Sequence, residues 1–389
     1  MSMDPTTPTG LWEQVLAFDT AAPIEQARTL PASWYISDAF DALERRAVFL
    51  DTWQLACRAE QVAEPGSFVS GRSFGLPWVV VRGGDGVLRA FANTCRHKAT
   101  EICTGSGVLS HFTCPYHGWT YRLDGSLRTA PRMAGIEALD RATMALPPLG
   151  VEIWGPLVLI HRDPEAPPSG PGIGELTRAL EATGWDRLQW HSRRTYEVAC
   201  NWKAYCDNYL DGGYHVAHMH PDLAAQLDLG RYRTEVFDTY SLQTCPPADE
   251  ASAPEGRTPA GRTEGGALYV WRYPNLMLNR YGPCLDTNLV HPISADRCRV
   301  TFDFWFDASH LHDEAWIRAS LESTEQTQRE DMEISERVQA GMASGTWHSG
   351  PYAPRVELGI HHFHLLLARA LRRATEPIDG TSAPGEPTP

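Results

Sequence analysis

Residues 95–119 read CRHKATEICTGSGVLSHFTCPYHGW. Each end of this stretch carries one Cys and one His: Cys95 with His97, then Cys114 with His117 after a gap of 16 residues. Two thiolates and two imidazoles suit a four-coordinate zinc, or a two-iron cluster in which one iron is held by Cys and the other by His. Structural zinc sites usually pair Cys with Cys on one knuckle and His with His on the other. Here each loop supplies one of each, as expected if the cysteines converge on one iron and the histidines on its partner. Cys103 stands between the halves and is expected to be an ordinary packed thiol.

The surrounding texture is β. From about residue 60 to 162, short β-branched and aromatic runs (Phe68–Val69, Trp78–Val81, Leu88–Phe91, Leu157–His161) alternate with Gly-, Pro- and Asp-rich turns. That is the pattern of a compact antiparallel domain. Before it, residues 1–40 read as a loose N-terminal arm leading into a helix over Ala39–Trp53. The Pro- and Gly-rich segment Asp163–Gly172 marks a boundary. Beyond it the spacing predicts a helix over Ile173–Thr183, a strand over Arg193–Val198 and a long helix from about 201 to 219. Strands are expected at Ala267–Asn279, Thr287–Pro292 and Cys298–Asp307, after a mobile loop at Pro246–Gly266. A long helix over Glu314–Met342 carries Ile317, Leu321, Ile334 and Val338 on its apolar face. The expected division is an arm (1–40), a β-domain with its flanking helix (41–165), an α+β domain (166–374) and a disordered tail (375–389).

Composition narrows the function. With 34 basic and 48 acidic residues among 389, the chain carries a formal charge of −14. No Lys/Arg block offsets that charge, which argues against a partner with a phosphate backbone such as nucleic acid. The apolar runs are strand-sized, far short of the roughly 20 residues that span a bilayer, so no membrane partner is expected. The N-terminus lacks the basic start and apolar stretch of a signal peptide, which makes the cytoplasm the expected location. Nine cysteines, an odd number spread over a large chain, do not suggest a disulfide framework.

A second concentration of ligand-type residues lies in NWKAYCDNYLDGGYHVAHMHPDL, residues 201–223. Asp207, Asp211 and His215 are spaced by four, so one helix would place them on one face. His215 and His220 are five apart, about 140° on an ideal helix, and converge only if the helix distorts or ends between them. Pro221 disfavours helical geometry at His220, and Gly212-Gly213 loosens the turn before His215. On spacing alone His215 with His218 is the tidier pair, and both pairs stand.

The pattern C-x-H-x16-C-x2-H with CPYHGW matches the Rieske [2Fe–2S] motif, and residues 201–223 resemble the iron-binding segment of Rieske non-haem iron oxygenases. DNYLDGGYHV (207–216), ALYVWRYPNLMLNRYGPCLDTNLV (267–290), EDMEISERVQ (330–339) and IHHFHLLL (360–367) look like the choline monooxygenase group. The likeness covers roughly residues 30–375. It implies an α+β chain: an antiparallel β Rieske domain plus a helix-on-antiparallel-sheet, helix-grip-like catalytic domain. It implies Cys95, His97, Cys114 and His117 as cluster ligands. Carried over, His215 and His220 with Asp331 are the facial triad of a mononuclear iron, with Glu330 as Asp331's competitor. Such a triad leaves positions open for O₂. Members carry a carboxylate shortly before the first His that links it to a cluster histidine across a subunit contact. The usual offset is three, but position 212 is Gly, so the role falls to Asp211 or Asp207, with Asp211 favoured. Asp207, Asn208 and Asp211 are thus the candidate catalytic side chains.

The resemblance further implies a homotrimer and an oxygenase that hydroxylates a C–H bond of a small substrate. The expected class is a quaternary or tertiary amine, by choline-type oxidation or N-demethylation of betaine or carnitine. A cation would suit aromatic walls, for which Tyr205, Tyr209, Trp271, Tyr273, Tyr281 and Trp305 are candidates. The alternatives are an oxygenase of aromatic or natural products and an electron-transfer protein without oxygen chemistry. No nicotinamide or flavin fingerprint is present, so NAD(P)H is expected to act through a separate reductase or ferredoxin.

Overall fold

The computed structural model describes residues 8–137, 140–248 and 265–374. The tail expected to be disordered, most of the loop expected at Pro246–Gly266, and the first seven residues of the arm lie outside them. Three helices open the chain: α1 (Pro8–Ala17), α2 (Ala32–Ile36) and α3 (Asp38–Ala47). The β-rich region then runs through β1 (Gln54–Arg58), β2 (Ser67–Ser73), β3 (Leu76–Arg82), β4 (Leu88–Ala92) and β5 (Ser106–Val108). It continues with β6 (Phe112–Thr113), β7 (Thr120–Tyr121), β8 (Leu127–Thr129), β9 (Pro148–Trp154) and β10 (Leu157–His161). One sheet has the order β1-β10-β9-β4-β3-β2-β5, and β6-β7-β8 form a second, smaller one. The pairings are antiparallel, as the turn-punctuated sequence predicts.

Helix α4 (Gly170–Ala182) leads into the second region and its β11 (Gln189–Val198). Three short helices follow: α5 (Trp202–Tyr209), α6 (Val216–Met219) and α7 (Pro221–Ala224). The sheet is completed by β12 (Arg233–Val236), β13 (Tyr240–Cys245), β14 (Ala267–Arg272), β15 (Leu276–Tyr281), β16 (Cys284–Ser294) and β17 (Arg297–Phe306). Its order, β11-β17-β16-β15-β14-β13-β12, is a near-complete antiparallel meander closed by the first strand. Helices α8 (Glu314–Ala343) and α9 (Leu358–Arg373) follow it. Strand parity divides the apolar residues between two layers. Trp271, Met277, Phe302 and Phe304 face the helices α5, α8 and α9. Val270, Leu278, Leu285 and Trp305 face α4 and Trp154, Leu157 and Leu159 of the cluster-side sheet.

The arm is not loose. Leu11 and Val15 of α1, and Phe40 and Leu43 of α3, share one core with Trp202, Phe363 and Leu367. Lys203 Nζ lies 2.7 and 2.9 Å from the Glu44 carboxylate oxygens, and Trp202 Nε1 donates to Glu44 at 2.7 Å. This fully buried ion pair ties α3 to α5, so the helix expected to flank the β-domain packs on the far one instead. At the tip between β2 and β3, Phe74 stacks between Phe49 (4.1 Å) and His291 (4.5 Å), pinning one region to the other.

Four expected elements differ. The helix expected over Ala39–Trp53 ends at Ala47, and a short 3₁₀ turn covers Phe49–Asp51. The helix from 201 to 219 is broken into α5 and α6, because Gly212 (φ 72°) and Gly213 (φ 76°) take the left-handed conformation. A Cβ on Gly212 would stand 2.1 Å from the Val356 carbonyl oxygen, so the close approach of the segment before α9 also requires glycine. The strand expected over Ala267–Asn279 is a hairpin turning at Tyr273-Pro274. On α8, Ile317 and Leu321 are buried but Val338 is exposed, and between Thr324 and Met342 the buried residues are polar: Gln328, Ser335 and Gln339. Buried polar groups need partners: Gln328 Oε1 accepts from the Tyr205 hydroxyl at 2.6 Å, and Gln339 accepts the Asn201 N–H at 3.0 Å and donates to Tyr35 O at 3.3 Å.

Candidate metal centres and pocket

Two loops carry the CRH and CPYHGW halves between short strands. In the second, Cys114 N donates to Trp119 O (2.7 Å) and Gly118 N to Cys114 O (3.0 Å), closing a tight turn. The Cys95 and Cys114 sulfurs are buried and face one another. Burial pushes the Cys114 thiol up, while the backbone N–H groups of Tyr116 and His117 pull it the other way. The two imidazoles lie at the surface, Nδ1 to Nδ1 at 3.2 Å, with Trp119 stacked on His97 at 5.0 Å. Among the described residues, only His215, His220 and Asp331 bring three such donor atoms within 4.8 Å of one another. The four cluster residues therefore do not close on one point as a zinc tetrahedron requires. An inner thiol pair and an outer imidazole pair suit a two-iron cluster. Tyr121, which the sequence reading missed, places its hydroxyl 3.3 Å from Cys95 Sγ and accepts the Arg96 N–H at 3.0 Å. Its only sequence signal is its place two residues after Trp119. Cys103 is half-buried and its N–H donates to Asn93, the packed thiol expected.

At the second centre, His215 Nε2 and His220 Nε2 are 3.1 Å apart. Asp331 Oδ1 is 3.0 Å from the second and 3.5 Å from the first. Ligands at about 2.1 Å from one ion and at right angles stand about 3 Å apart, so these three donors fit one face of an octahedral site. The opposite ring atoms are fixed by carboxylates: His215 Nδ1 meets Asp211 Oδ2 at 2.6 Å, and His220 Nδ1 meets Glu330 Oε2 at 2.6 Å. Each Nδ1–H donates outward, which leaves both Nε2 lone pairs aimed at one point. Burial pulls the His215 imidazole down, but Asp211 and Asp331 more than offset it and push it up to about 10. Burial likewise raises Asp331, yet the two imidazoles hold it at about 2. That surplus of acceptors calls for a cation.

His218 is exposed, whereas the Nε2 atoms of His215 and His220 converge beside Asp331. Glu330 stands behind His220 rather than replacing Asp331. Asn208 Nδ2 donates to Asp331 Oδ1 at 2.6 Å and orients that carboxylate. Asp207, although one turn before Asp211, points elsewhere. It accepts from Tyr35 (2.6 Å) and contacts His364 Nε2 (2.9 Å), whose Nδ1 meets Tyr352 at 2.7 Å.

Beside the triad opens a cavity lined by Tyr205, Tyr209, Tyr232, Tyr269, Tyr281 and Phe302 among others. Three of the expected aromatics are there. Trp305 is not, because it faces the opposite side of β17 from Phe302 and Phe304. Trp271 lies too far along β14, against Phe363 of α9, and Tyr273 follows it into the turn. Tyr232 and Tyr269 were missed. Tyr269 shares strand parity with Trp271, which is the signal that could have found it.

Residues 52–140 match the family model described as Rieske [2Fe-2S] domain, and 185–373 match ring hydroxylating alpha subunit (catalytic domain). The chain is 41% identical over 369 residues to the chloroplastic choline monooxygenase of Arabidopsis thaliana, covering 92% of this chain and 86% of that one.

The chain belongs to the Rieske non-haem iron oxygenases.

This Rieske oxygenase is also 29% identical over 381 residues to the carnitine monooxygenase oxygenase subunit of Escherichia coli, covering 92% of this chain and 98% of that one. A crystal structure of the quaternary ammonium Rieske monooxygenase CntA superposes with a TM-score of 0.79 at 26% identity, covering 90% and 97% of the two chains. The family's cofactors are a [2Fe–2S] cluster and a mononuclear iron, with O₂ as co-substrate and electrons from a reductase. When bound, they supply single electrons and oxygen activation. Both donor sets of this Rieske oxygenase fit them. No helix among the described residues is long and apolar enough to cross a membrane.

Proposed function

We propose that this oxygenase hydroxylates a C–H bond of a small quaternary or tertiary amine. The observation that carries it is the tyrosine-lined cavity beside the His215–His220–Asp331 donor set. Tyr269 stands edge-on to Tyr209 (6.3 Å) and to Tyr281 (5.6 Å), and stacks on Tyr232 (6.2 Å). Aromatic faces attract an alkylammonium cation without a counter-charge, and the Asp211 and Asp331 carboxylates on the same wall favour positive charge. The likeness to choline and carnitine monooxygenases over nearly the whole chain supports this reading.

In this proposal Cys95 and Cys114, with His97 and His117, hold the cluster, and His215, His220 and Asp331 hold the mononuclear iron. The reaction takes up one O₂, two electrons and two protons, and yields the alcohol and water. Hydroxylation of a carbinol carbon gives an aldehyde hydrate. Hydroxylation of an N-methyl group gives a hemiaminal that collapses to amine and formaldehyde. Asn208 keeps Asp331 in place, while Asp211 and Glu330 keep the two imidazoles in their metal-binding tautomer. The subunits are proposed to form a homotrimer in which one subunit's exposed His117 edge meets its neighbour near Asp211. A crystal structure of the quaternary ammonium Rieske monooxygenase is described in terms of inter-subunit electron transfer, which supports that arrangement. A cytoplasmic location is supported by the seven cysteines other than the cluster pair Cys95 and Cys114, which form no disulfide.

The test is a screen of choline, carnitine, glycine betaine and small aromatic acids with a surrogate reductase. The expected result is O₂ uptake coupled to NAD(P)H with aldehyde or formaldehyde release for an amine alone. Coupled turnover of an aromatic acid, with every amine uncoupled, would overturn the reading.

A further inference from the structure

Two cysteines that oxygen chemistry does not use face each other inside the catalytic region. Cys200 Sγ and Cys298 Sγ are 3.9 Å apart, and neither residue exposes any surface. Cys298 sits on β17 opposite Val198, and Cys200 follows two residues after Val198, so the pair is a diagonal cross-strand one. Their surroundings lead to the pocket. The backbone N–H of Tyr205 donates to the carbonyl of Asn201, the residue after Cys200, at 3.4 Å. The Tyr205 ring lines the cavity, its hydroxyl donates to Gln328 at 2.6 Å, and Asp331 lies within electrostatic reach of it.

Contact with Cys298 and burial both keep the Cys200 thiol neutral. A neutral, fully enclosed thiol is a poor nucleophile and is shielded from dissolved peroxide and thiols. Oxidation reaches such a pair by electrons leaving through neighbouring side chains. The adjacent pocket is where O₂ is reduced, and without a substrate C–H bond its oxidising equivalents have no productive outlet.

We propose that Cys200 and Cys298 are an internal two-electron donor. When O₂ is reduced with no substrate bound, the pair loses two electrons by way of Tyr205 and closes to a disulfide. The balance is complete. O₂ takes two electrons from the reductase and two from the thiols, and with four protons becomes two waters. Two S–H bonds break, one S–S bond forms, and solvent supplies the two protons that the thiols do not. Glu336, half-buried on α8, accepts the Ala199 N–H at 3.0 Å and is within electrostatic reach of Cys200, so it relays the two thiol protons one after the other to solvent. Closure brings the sulfurs from 3.9 Å to about 2.05 Å.

The experiment uses the enzyme loaded with cluster and iron, reductase and NADH, in air and without amine. Peptides are mapped without reductant at increasing numbers of turnovers. The linked Cys200–Cys298 peptide should accumulate with turnover, and should stay at background under nitrogen or in protein loaded with the cluster but not the mononuclear iron. Cys298→Ser should oxidise NADH at the same initial rate yet lose activity about threefold faster per turnover, with new oxidation at Tyr205. Linked peptide at equal yield without the iron would mark plain air oxidation and overturn the proposal. So would oxidised Tyr205 in the wild-type chain with both thiols intact. The readout needs no substrate, so it stands or falls apart from the amine reading.

Discussion

Glu330 and His220 meet at 2.6 Å through the ring's Nδ1, while the next residue, Asp331, places Oδ1 3.0 Å from the same ring's Nε2. Adjacent residues on one helix thus take the two ends of one imidazole. Only Asp331 faces the point where both Nε2 lone pairs converge.

Asp331→Ala is therefore expected to lose the mononuclear iron and all turnover while the cluster's visible absorbance persists. Glu330→Gln should keep the iron, with affinity or activity lowered about 10- to 100-fold, the usual effect of an outer partner. Iron analysis of the two variants checks this, with about three irons per chain expected in the wild type. His215→Ala should likewise keep the cluster colour without activity. Loss of colour there would mean that the two metal sites have been confused.

Asp211 and Asp207 separate by where the chain turns. Asp211 holds His215 Nδ1, whereas Asp207 is enclosed by Tyr35 and His364. Asp211→Asn is expected to slow electron transfer from cluster to iron at least about tenfold with both metals bound. Asp207→Asn should instead lower stability by about 1–3 kcal/mol and leave transfer per folded molecule unchanged. Rapid-mixing measurement of cluster reoxidation decides, and the reverse pattern would move the bridging role to Asp207.

Tyr269 is the centre of the aromatic group. Tyr269→Ala is expected to raise KM for a trimethylammonium substrate about 3- to 30-fold, the range of a cation–π contact. Competition by a neutral analogue with carbon in place of nitrogen should change far less. Equal losses for both would assign Tyr269 to packing rather than charge recognition.

His291 gives a pH signature away from either metal. Burial, with Arg45 and Arg299 nearby and Asp41 opposing them, holds its imidazole at about 4 against an ordinary 6.5. The folded state resists protonation, so its contribution is complete above pH 6.5 and is lost as pH falls toward 4. Between pH 7.5 and 5.0 that loss is about 2 kcal/mol. Denaturant titrations at both values should show His291→Phe losing less stability than the wild type. Equal losses would show that the ring stacked on Phe74 is freely hydrated.

Much of this molecule is legible in the sequence. The residue types and tight spacings of CRH and CPYHGW specify paired soft and imidazole donors, because both halves sit within single turns where sequence distance is spatial distance. Runs such as Leu157–His161 appear as written, since their apolar content and flanking turns are local properties. The antiparallel sheets and the long helix follow from the same periodicities.

Tertiary structure decided what depends on direction. Gly212 and Gly213 turn the chain so that Asp211 reaches His215 while Asp207 faces Tyr35, although a straight helix would have aligned all three. Asp331 and Glu330 differ by one position, and only the packing of α8 against α5 says which faces the histidines. Gln328, Ser335 and Gln339 are buried on α8 although their polarity alone would put them at the surface, and only Gln328 reaches the pocket. Trp305 and Phe304 differ by one residue and lie on opposite faces of one sheet. Sequence determined which donors exist and in what local pairs. Convergence on a common point was set by strand parity and helix packing, which join residues more than a hundred positions apart.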